Sequence, residues 1–329
     1  MKGGLIGVGY IGVHHLRNLS RLMDEGYIDK LYASDVDESK KVYADKYNAV
    51  FFKDYIKMLE HDLDFIILAV PTKLHYSIGY EVLKNNINLL IEKPMCMKPA
   101  ECLDLIKLAE DNKLILTVGH VERFNPVIQK LIDDIHKGVI GDIISMSARR
   151  HGGPRKVDTG ILLDIGIHDV DIMNYICKRD VAKVYAYTLK KLSDVVNEDY
   201  GVILMEFQGD VVGTVEVGRL TSVKVRELHI IGTKNCVSLD YIKKEYSIIE
   251  NYITGGGWRD YMDFIKKYTP VKKVIKVEGE EPLYIELKTF IKCIEGNEPP
   301  PVDPYDAYKA VKIIDAALES SRVGRPISL

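Results

Sequence analysis

Two short stretches of this chain hold side chains that could move a proton. One is Glu92-Lys93-Pro94, directly after an apolar run. The other is Asp164-Ile165-Gly166-Ile167-His168-Asp169-Val170-Asp171. On a helix, Asp164 and His168 are four apart and share a face, with Asp171 three further on. A carboxylate beside an imidazole orients it and raises its basicity. Lys93 stands before a proline, where the backbone is restricted. Close to a cationic ring its pKa falls, which suits proton traffic. Each stretch has a plainer alternative: a surface lysine in a loop, and an Asp and His that satisfy one another on a helix face. A carboxylate and a histidine at this spacing can also bind zinc. No other ligand cluster accompanies them, so no metal is expected.

A third stretch, Gly4-Leu5-Ile6-Gly7-Val8-Gly9-Tyr10-Ile11-Gly12, fits G-x-G-x-x-G after a short apolar run. Gly7 allows a tight turn out of a strand. Gly9 lets backbone approach a pyrophosphate. Gly12 lets the next helix pack close to the sheet with its N-terminus toward the phosphates. Val13, Leu16, Leu19 and Leu22 continue at helical spacing, and a second strand pattern, Leu31 to Ser34, ends on Asp35. Strand, glycine turn, helix, strand and acid together read as a dinucleotide site.

Further polar groups lie where a substrate cleft is expected. Val118-Gly119-His120-Val121-Glu122-Arg123-Phe124-Asn125-Pro126 closes a strand pattern and offers His120, Arg123 and Asn125. Arg149, Arg150, Arg155 and Lys156 flank Gly152-Gly153-Pro154. A basic loop of this kind holds a phosphate or carboxylate, or is simply solvated.

The elements that must position these groups follow from periodicity. Up to about residue 120, strand-like and helix-like stretches alternate. Phe65-Ile66-Ile67-Leu68-Ala69-Val70 suits a strand buried on both faces. Alternation implies a parallel, doubly wound sheet with ligands beyond its strand carboxyl ends. Two helical stretches follow, near 125–137 and 161–177, with a strand near 142–150. Strand-like runs then succeed one another with short turns from 181 to about 250, as in an antiparallel meander. Two helices close the chain, near 283–295 and 304–321. The expected fold class is α/β plus α+β: a Rossmann domain over 1–120, and an open antiparallel-sheet domain over 121–329 whose last helix packs back on the first.

With 329 residues the chain is long enough for two domains with real cores. Its net charge of −3 gives no reason to expect nucleic acid or an anionic membrane as partner. The five cysteines form no C-x-x-C pair and are odd in number, which argues for a reducing, cytoplasmic setting. No apolar run approaches the ~18 residues of a membrane span.

The motifs together resemble the Gfo/Idh/MocA (glucose–fructose oxidoreductase / inositol dehydrogenase) family over essentially the whole chain. The resemblance rests on Gly7-x-Gly9-x-x-Gly12, Asp35, Pro71-Thr72-x-x-His75, Glu92-Lys93-Pro94 and Asp164-x-x-x-His168. It implies NAD as cofactor. The implied cofactor residues are Gly7, Gly9, Tyr10, Ile11, Gly12, Asp35, Val70, Pro71, Thr72, His75, Glu92, Lys93 and Pro94. Lys93, Asp164 and His168 match the family's catalytic residues, and dimers or tetramers are common. Gly119 to Pro126, the Gly152-Gly153-Pro154-Arg155 loop and Asp164 to Asp171 resemble, more narrowly, the UDP-N-acetylglucosamine 3-dehydrogenases. That implies a nucleotide sugar held by His120, Arg123, Asn125, Arg155, Asp164 and His168. A free sugar or polyol such as inositol, or a non-catalytic NAD-binding sensor, are the alternatives.

Overall fold

The computed structural model describes residues 1–154, 158–193, 196–250, 260–262, 272–296 and 298–329. The chain divides into two compact units. The first comprises Met1–Phe124, Val157–Asp171 and Glu280–Asp315. The second comprises Asn125–Lys156, Ile172–Gly279 and Ala316–Leu329. The chain first leaves the first unit after Phe124, and two later segments return to it.

The first unit is built on a six-stranded parallel sheet. Its strands are β1 (Lys2–Ile6), β2 (Lys30–Ser34), β3 (Ala49–Phe52), β4 (Phe65–Leu68), β5 (Asn88–Glu92) and β6 (Leu116–Gly119), ordered β3-β2-β1-β4-β5-β6. Sequence order reverses between β1 and β4, which is where such sheets bind ligands. All four residues of β4 are buried, as its unbroken apolar run predicted.

A parallel sheet needs cover on both faces. Helix α1 (Tyr10–Asp24) supplies part of it through Leu16, Leu19 and Leu22. The late helix α8 (Pro282–Gly296) joins the same core through Leu283, Leu287, Phe290 and Ile291. The Phe290 ring meets Phe65 of β4 edge-on, with centroids 5.7 Å apart. Sequence periodicity showed this helix and its apolar stripe but not which core it would enter.

The second unit carries a nine-stranded sheet. The central strands are β7 (Ile143–His151), β8 (Val181–Leu189), β9 (Tyr200–Phe207), β10 (Val211–Gly218) and β11 (Val225–Gly232). The outer strands are β12 (Asn235–Asp240), β13 (Glu245–Glu250), β14 (Lys272–Lys276) and β15 (Ile327–Ser328), in the order β14-β13-β12-β11-β7-β10-β9-β8-β15. A simple meander would pair β10 with β11. Instead β7 lies between them, parallel to β10 and antiparallel to β11. The sheet is thus mixed, though mostly antiparallel. Its strands alternate: Ile203 and Met205 of β9 and Val215 and Val217 of β10 are buried, while Val202, Leu204 and Val212 are exposed on the other face.

Replacing Phe290 by Ala should cost about 3–5 kcal/mol of stability through the lost ring and the cavity left against Phe65. Denaturant unfolding of the variant checks this, and an unchanged midpoint would show that α8 does not secure the first core.

Candidate active site

The candidate site assembles in the first unit at the carboxyl ends of β1, β4, β5 and β6. Gly7, directly after β1, has φ +96°, and a Cβ there would lie 2.5 Å from the carbonyl oxygen of Ala69. Gly12 is as demanding, since a Cβ would fall 2.0 Å from the Gly7 carbonyl oxygen. The space beside Gly9 is open. Gly9 precedes α1 and provides no side-chain cap, so the helix's first N–H groups remain available to an anion. Tyr10 and Ile11 are exposed on that first turn. Asp35, just past β2, is fixed by two backbone donors. Val8 N–H donates to its Oδ2 at 2.7 Å and Asp37 N–H to its Oδ1 at 2.9 Å. An uncapped helix start, an open glycine and a braced carboxylate one strand over fit the pyrophosphate and ribose of a dinucleotide.

The loop after β4 runs through Val70, Pro71 and a short 3-10 turn over Thr72–Leu74 into α4 (His75–Lys84). His75 is buried. Its Nδ1 lies 2.8 Å from Pro94 O and its Nε2 lies 2.9 Å from Val70 O. Burial lowers its pKa more than these carbonyls raise it, so the neutral ring donates to one of them. His75 thus joins the β4 loop to the Lys93-Pro94 segment from within.

Lys93 follows β5, and its peptide bond to Pro94 is cis. Its Nζ donates to Asp164 O at 2.6 Å and to Asp164 Oδ1 at 3.2 Å. Both side chains are largely buried. Asp164 lies on a wide π-type turn, Leu162–Gly166, which leads into α7 (Ile167–Cys177). Turns of this kind recur at functional sites. His168 is partly exposed on the first turn of α7. Sequence spacing suggested that Asp164 serves His168; the structure brings its carboxylate to Lys93.

Three residues expected to bind substrate are buried. Arg123 is 4% exposed. Its Nε and Nη2 donate to Asp171 at 2.9 and 2.6 Å, and its Nη1 donates to Asp306 at 3.0 Å. A guanidinium so held is not available to a diphosphate. Desolvation works against its charge, but Asp171 and Asp306 outweigh burial and its pKa rises. His120 is 1% exposed, with Nδ1 3.5 Å from Asp171 Oδ2 and neither ring nitrogen hydrogen-bonded. Asn125 caps helix α6 (Pro126–His136) of the second unit, accepting from Val127 N–H at 3.3 Å. Arg155 and Lys156 lie outside the described residues.

Sequence reasoning missed His15 and Glu286. His15 Nε2 lies 2.7 Å from Glu92 Oε1 inside the unit. Glu286, on α8, is 1% exposed and its carboxyl oxygens have no hydrogen-bond partner. Burial, then the nearby charges of Glu92 and Asp171, push its pKa well up, so it is neutral in the folded state. The available signal was a polar residue within each helix's apolar stripe.

Two outcomes follow. NAD should bind at least about tenfold more tightly than NADP, because Asp35 accepts ribose hydroxyls and repels a 2′-phosphate; fluorescence titration of both checks this, and equal affinities would refute it. Glu286→Gln should stabilise the fold at pH 7 by about 1 kcal/mol or more. A raised folded pKa means that stability is full below the ordinary value of 4.5 and declines as pH rises above it. The gain over wild type should therefore vanish in melts below pH 4.5.

Residues 1–120 match an oxidoreductase family's NAD-binding Rossmann fold, and residues 132–329 match the same family's C-terminal alpha/beta domain. Myo-inositol 2-dehydrogenase of Thermotoga maritima is 26% identical, over 100% of this chain and 98% of that protein. UDP-N-acetylglucosamine 3-dehydrogenase of Acidithiobacillus ferrooxidans is 22% identical, over 91% of this chain and 90% of its own length. A solved structure of that enzyme superimposes with TM-score 0.84 at 19% identity, covering 98% of both chains. Levoglucosan dehydrogenase in complex with NADH and levoglucosan superimposes with TM-score 0.87 at 17% identity, over 100% of this chain and 99% of that one. With both halves matched and a turn shaped for a dinucleotide, the chain belongs to the Gfo/Idh/MocA family of oxidoreductases, and NAD is its cofactor.

Proposed function

We propose that this NAD-dependent sugar or polyol dehydrogenase acts on a nucleotide-linked sugar, oxidising the 3-hydroxyl of UDP-N-acetylglucosamine to the 3-keto sugar. The observation that carries the catalytic reading is the Lys93 amine, placed at the carboxyl end of β5 and held on Asp164. NAD supplies the hydride acceptor at its nicotinamide C4. Lys93 hydrogen-bonds the substrate hydroxyl and stabilises the oxyanion that develops as the carbon gives up hydride. His168 takes the hydroxyl proton. Asp164 holds the amine in place. The similarity to a UDP-N-acetylglucosamine 3-dehydrogenase supports the substrate. With Arg123 tied to Asp171 and Asp306, Arg155 is the guanidinium proposed for the diphosphate.

A free polyol such as inositol is the second reading. Its support is the 26% identity to a myo-inositol 2-dehydrogenase and the engagement of Arg123. The two readings separate when the purified protein is given NAD with UDP-sugars, free hexosamines and inositols while reduced nicotinamide is followed. The proposal expects UDP-N-acetylglucosamine to be by far the best. Inositol as the better substrate would overturn it.

The exposed face of the second unit's sheet carries Tyr185, Tyr187, Val202, Leu204, Val212 and Ile231. We read this apolar face as the contact of a symmetric homodimer or homotetramer. Among the described residues no helix is long and apolar enough to cross a membrane. The odd count of five cysteines, with no C-x-x-C pair, suits a cytoplasmic enzyme.

On the true substrate, Lys93→Ala and His168→Ala should each lower turnover about 10²- to 10⁴-fold with NAD affinity kept. Asp164→Asn should cost less, since its carbonyl still receives the amine. Arg155→Ala should raise KM more than it lowers kcat. Near-normal turnover in an Ala variant removes that residue from the mechanism. Light scattering should show an oligomer at micromolar concentration; a monomer would contradict the assembly.

A further inference from the structure

The carboxylate of Glu92 links two segments that a dehydrogenase must keep in register. Its Oε1 accepts from His15 Nε2 at 2.7 Å, and its Oε2 accepts the backbone N–H of Lys93 at 3.1 Å. His15 is fully buried and lies on α1, one turn after Gly12. Room for the carboxyl comes from Gly119 at the end of β6, where a Cβ would stand 3.2 Å from the Glu92 carboxyl carbon. Two neighbouring strand ends and the dinucleotide helix therefore converge on one acid.

That acid is ionised. Burial pushes its pKa up, but the hydrogen bond from His15, with the Lys93 ammonium nearby, outweighs it and the pKa falls. His120 and Glu286 face the same cluster from the loop after β6 and from α8. A buried acid with its polar partner is weak as a source of stability, and an apolar pair of equal volume often does as well. What an apolar pair lacks is an acceptor for the Lys93 N–H.

We infer that His15 and Glu92 are positioning residues, which brace the backbone of Lys93 on the helix that begins at the dinucleotide turn and so hold its amine on Asp164. The inference rests on the reading of Lys93 as the residue that meets the substrate hydroxyl. It extends that reading to two side chains that touch neither substrate nor the reacting atoms. Cofactor turn and lysine then move as one part. Small misplacement of a reacting group is costly, about a hundredfold for an error near 1 Å.

The test uses His15→Ala, Glu92→Ala and their double variant, with the gentler His15→Gln and Glu92→Gln. Glutamine at 15 keeps a donor, and glutamine at 92 keeps an acceptor for Lys93. At saturating NAD, each Ala variant should lose about a hundredfold in kcat. Each Gln variant should recover to within about tenfold of wild type, with NAD affinity changed less than about threefold throughout. The double variant should be no worse than the poorer single, because both cuts sever one linkage. Additive losses, or a loss confined to NAD affinity with kcat intact, would overturn the inference.

A second measurement needs no substrate: the rate at which an amine-acylating reagent labels Lys93, read by peptide mass spectrometry. The rate should rise in both Ala variants and return in the Gln variants. If labelling responds in this way but wild type oxidises no sugar, the bracing stands and the functional reading fails. If labelling is unchanged in folded Ala variants, the bracing is refuted whatever the substrate.

Discussion

A lysine ammonium withdrawn from water needs an anion beside it, and much of the first unit follows from how Lys93 meets that need. Its partner comes from Asp164, far along the chain. A second buried pair, Arg123 with Asp171, repeats the solution a few residues away. Both anions lie on the segment 157–171, which is grouped with the parallel sheet and not with its sequence neighbours. Leaving either cation buried without its anion would cost several kcal/mol. Charge pairing thus joins the apolar burial of Ile161, Leu162, Ile167 and Val170 in tying this excursion of chain to the first unit.

The same economy of charge runs behind the site. Glu92 is kept ionised by His15, while Glu286 nearby is kept neutral by burial and by the anions around it. Two carboxyl groups in one interior cannot both hold charge cheaply, so their pKa values separate. The one with a hydrogen-bonding imidazole stays charged, and it is the one that also holds the Lys93 backbone. Acidity is here a consequence of which donors the fold brings to each carboxyl, since the two side chains are chemically identical.

Several site residues prove to be supports. His75 and Asn125 each serve backbone groups, of the β4 loop and of a helix start. Arg123 secures the turn Val121–Phe124 through two aspartates. Their residue types are those of a binding site, because hydrogen-bonding side chains are needed both to hold ligands and to hold loops. Sequence cannot tell these uses apart; depth does. Arg123, 4% exposed and already hydrogen-bonded to two aspartates, acts on the fold.

Much was nevertheless legible without coordinates. Gly7, Gly9 and Gly12 after a strand, with Asp35 at the end of the next, specify the dinucleotide turn: the first takes a left-handed φ, the second leaves space open and the third has no room for a Cβ. The alternation of apolar runs before residue 120 determined a parallel sheet, since a strand buried on both faces has no polar side to alternate. Tertiary structure decided the rest. It set β7 between β10 and β11, a choice of partner that strand periodicity does not encode. It sent α8 into the first core, where its apolar stripe would have suited either sheet. It gave Asp164 to Lys93, because a local i, i+4 spacing says which side chains share a face but not what stands opposite that face. Patterns of period two or 3.6 report local geometry, whereas pairing across the chain depends on which buried charge and which uncovered surface each segment meets when the core closes.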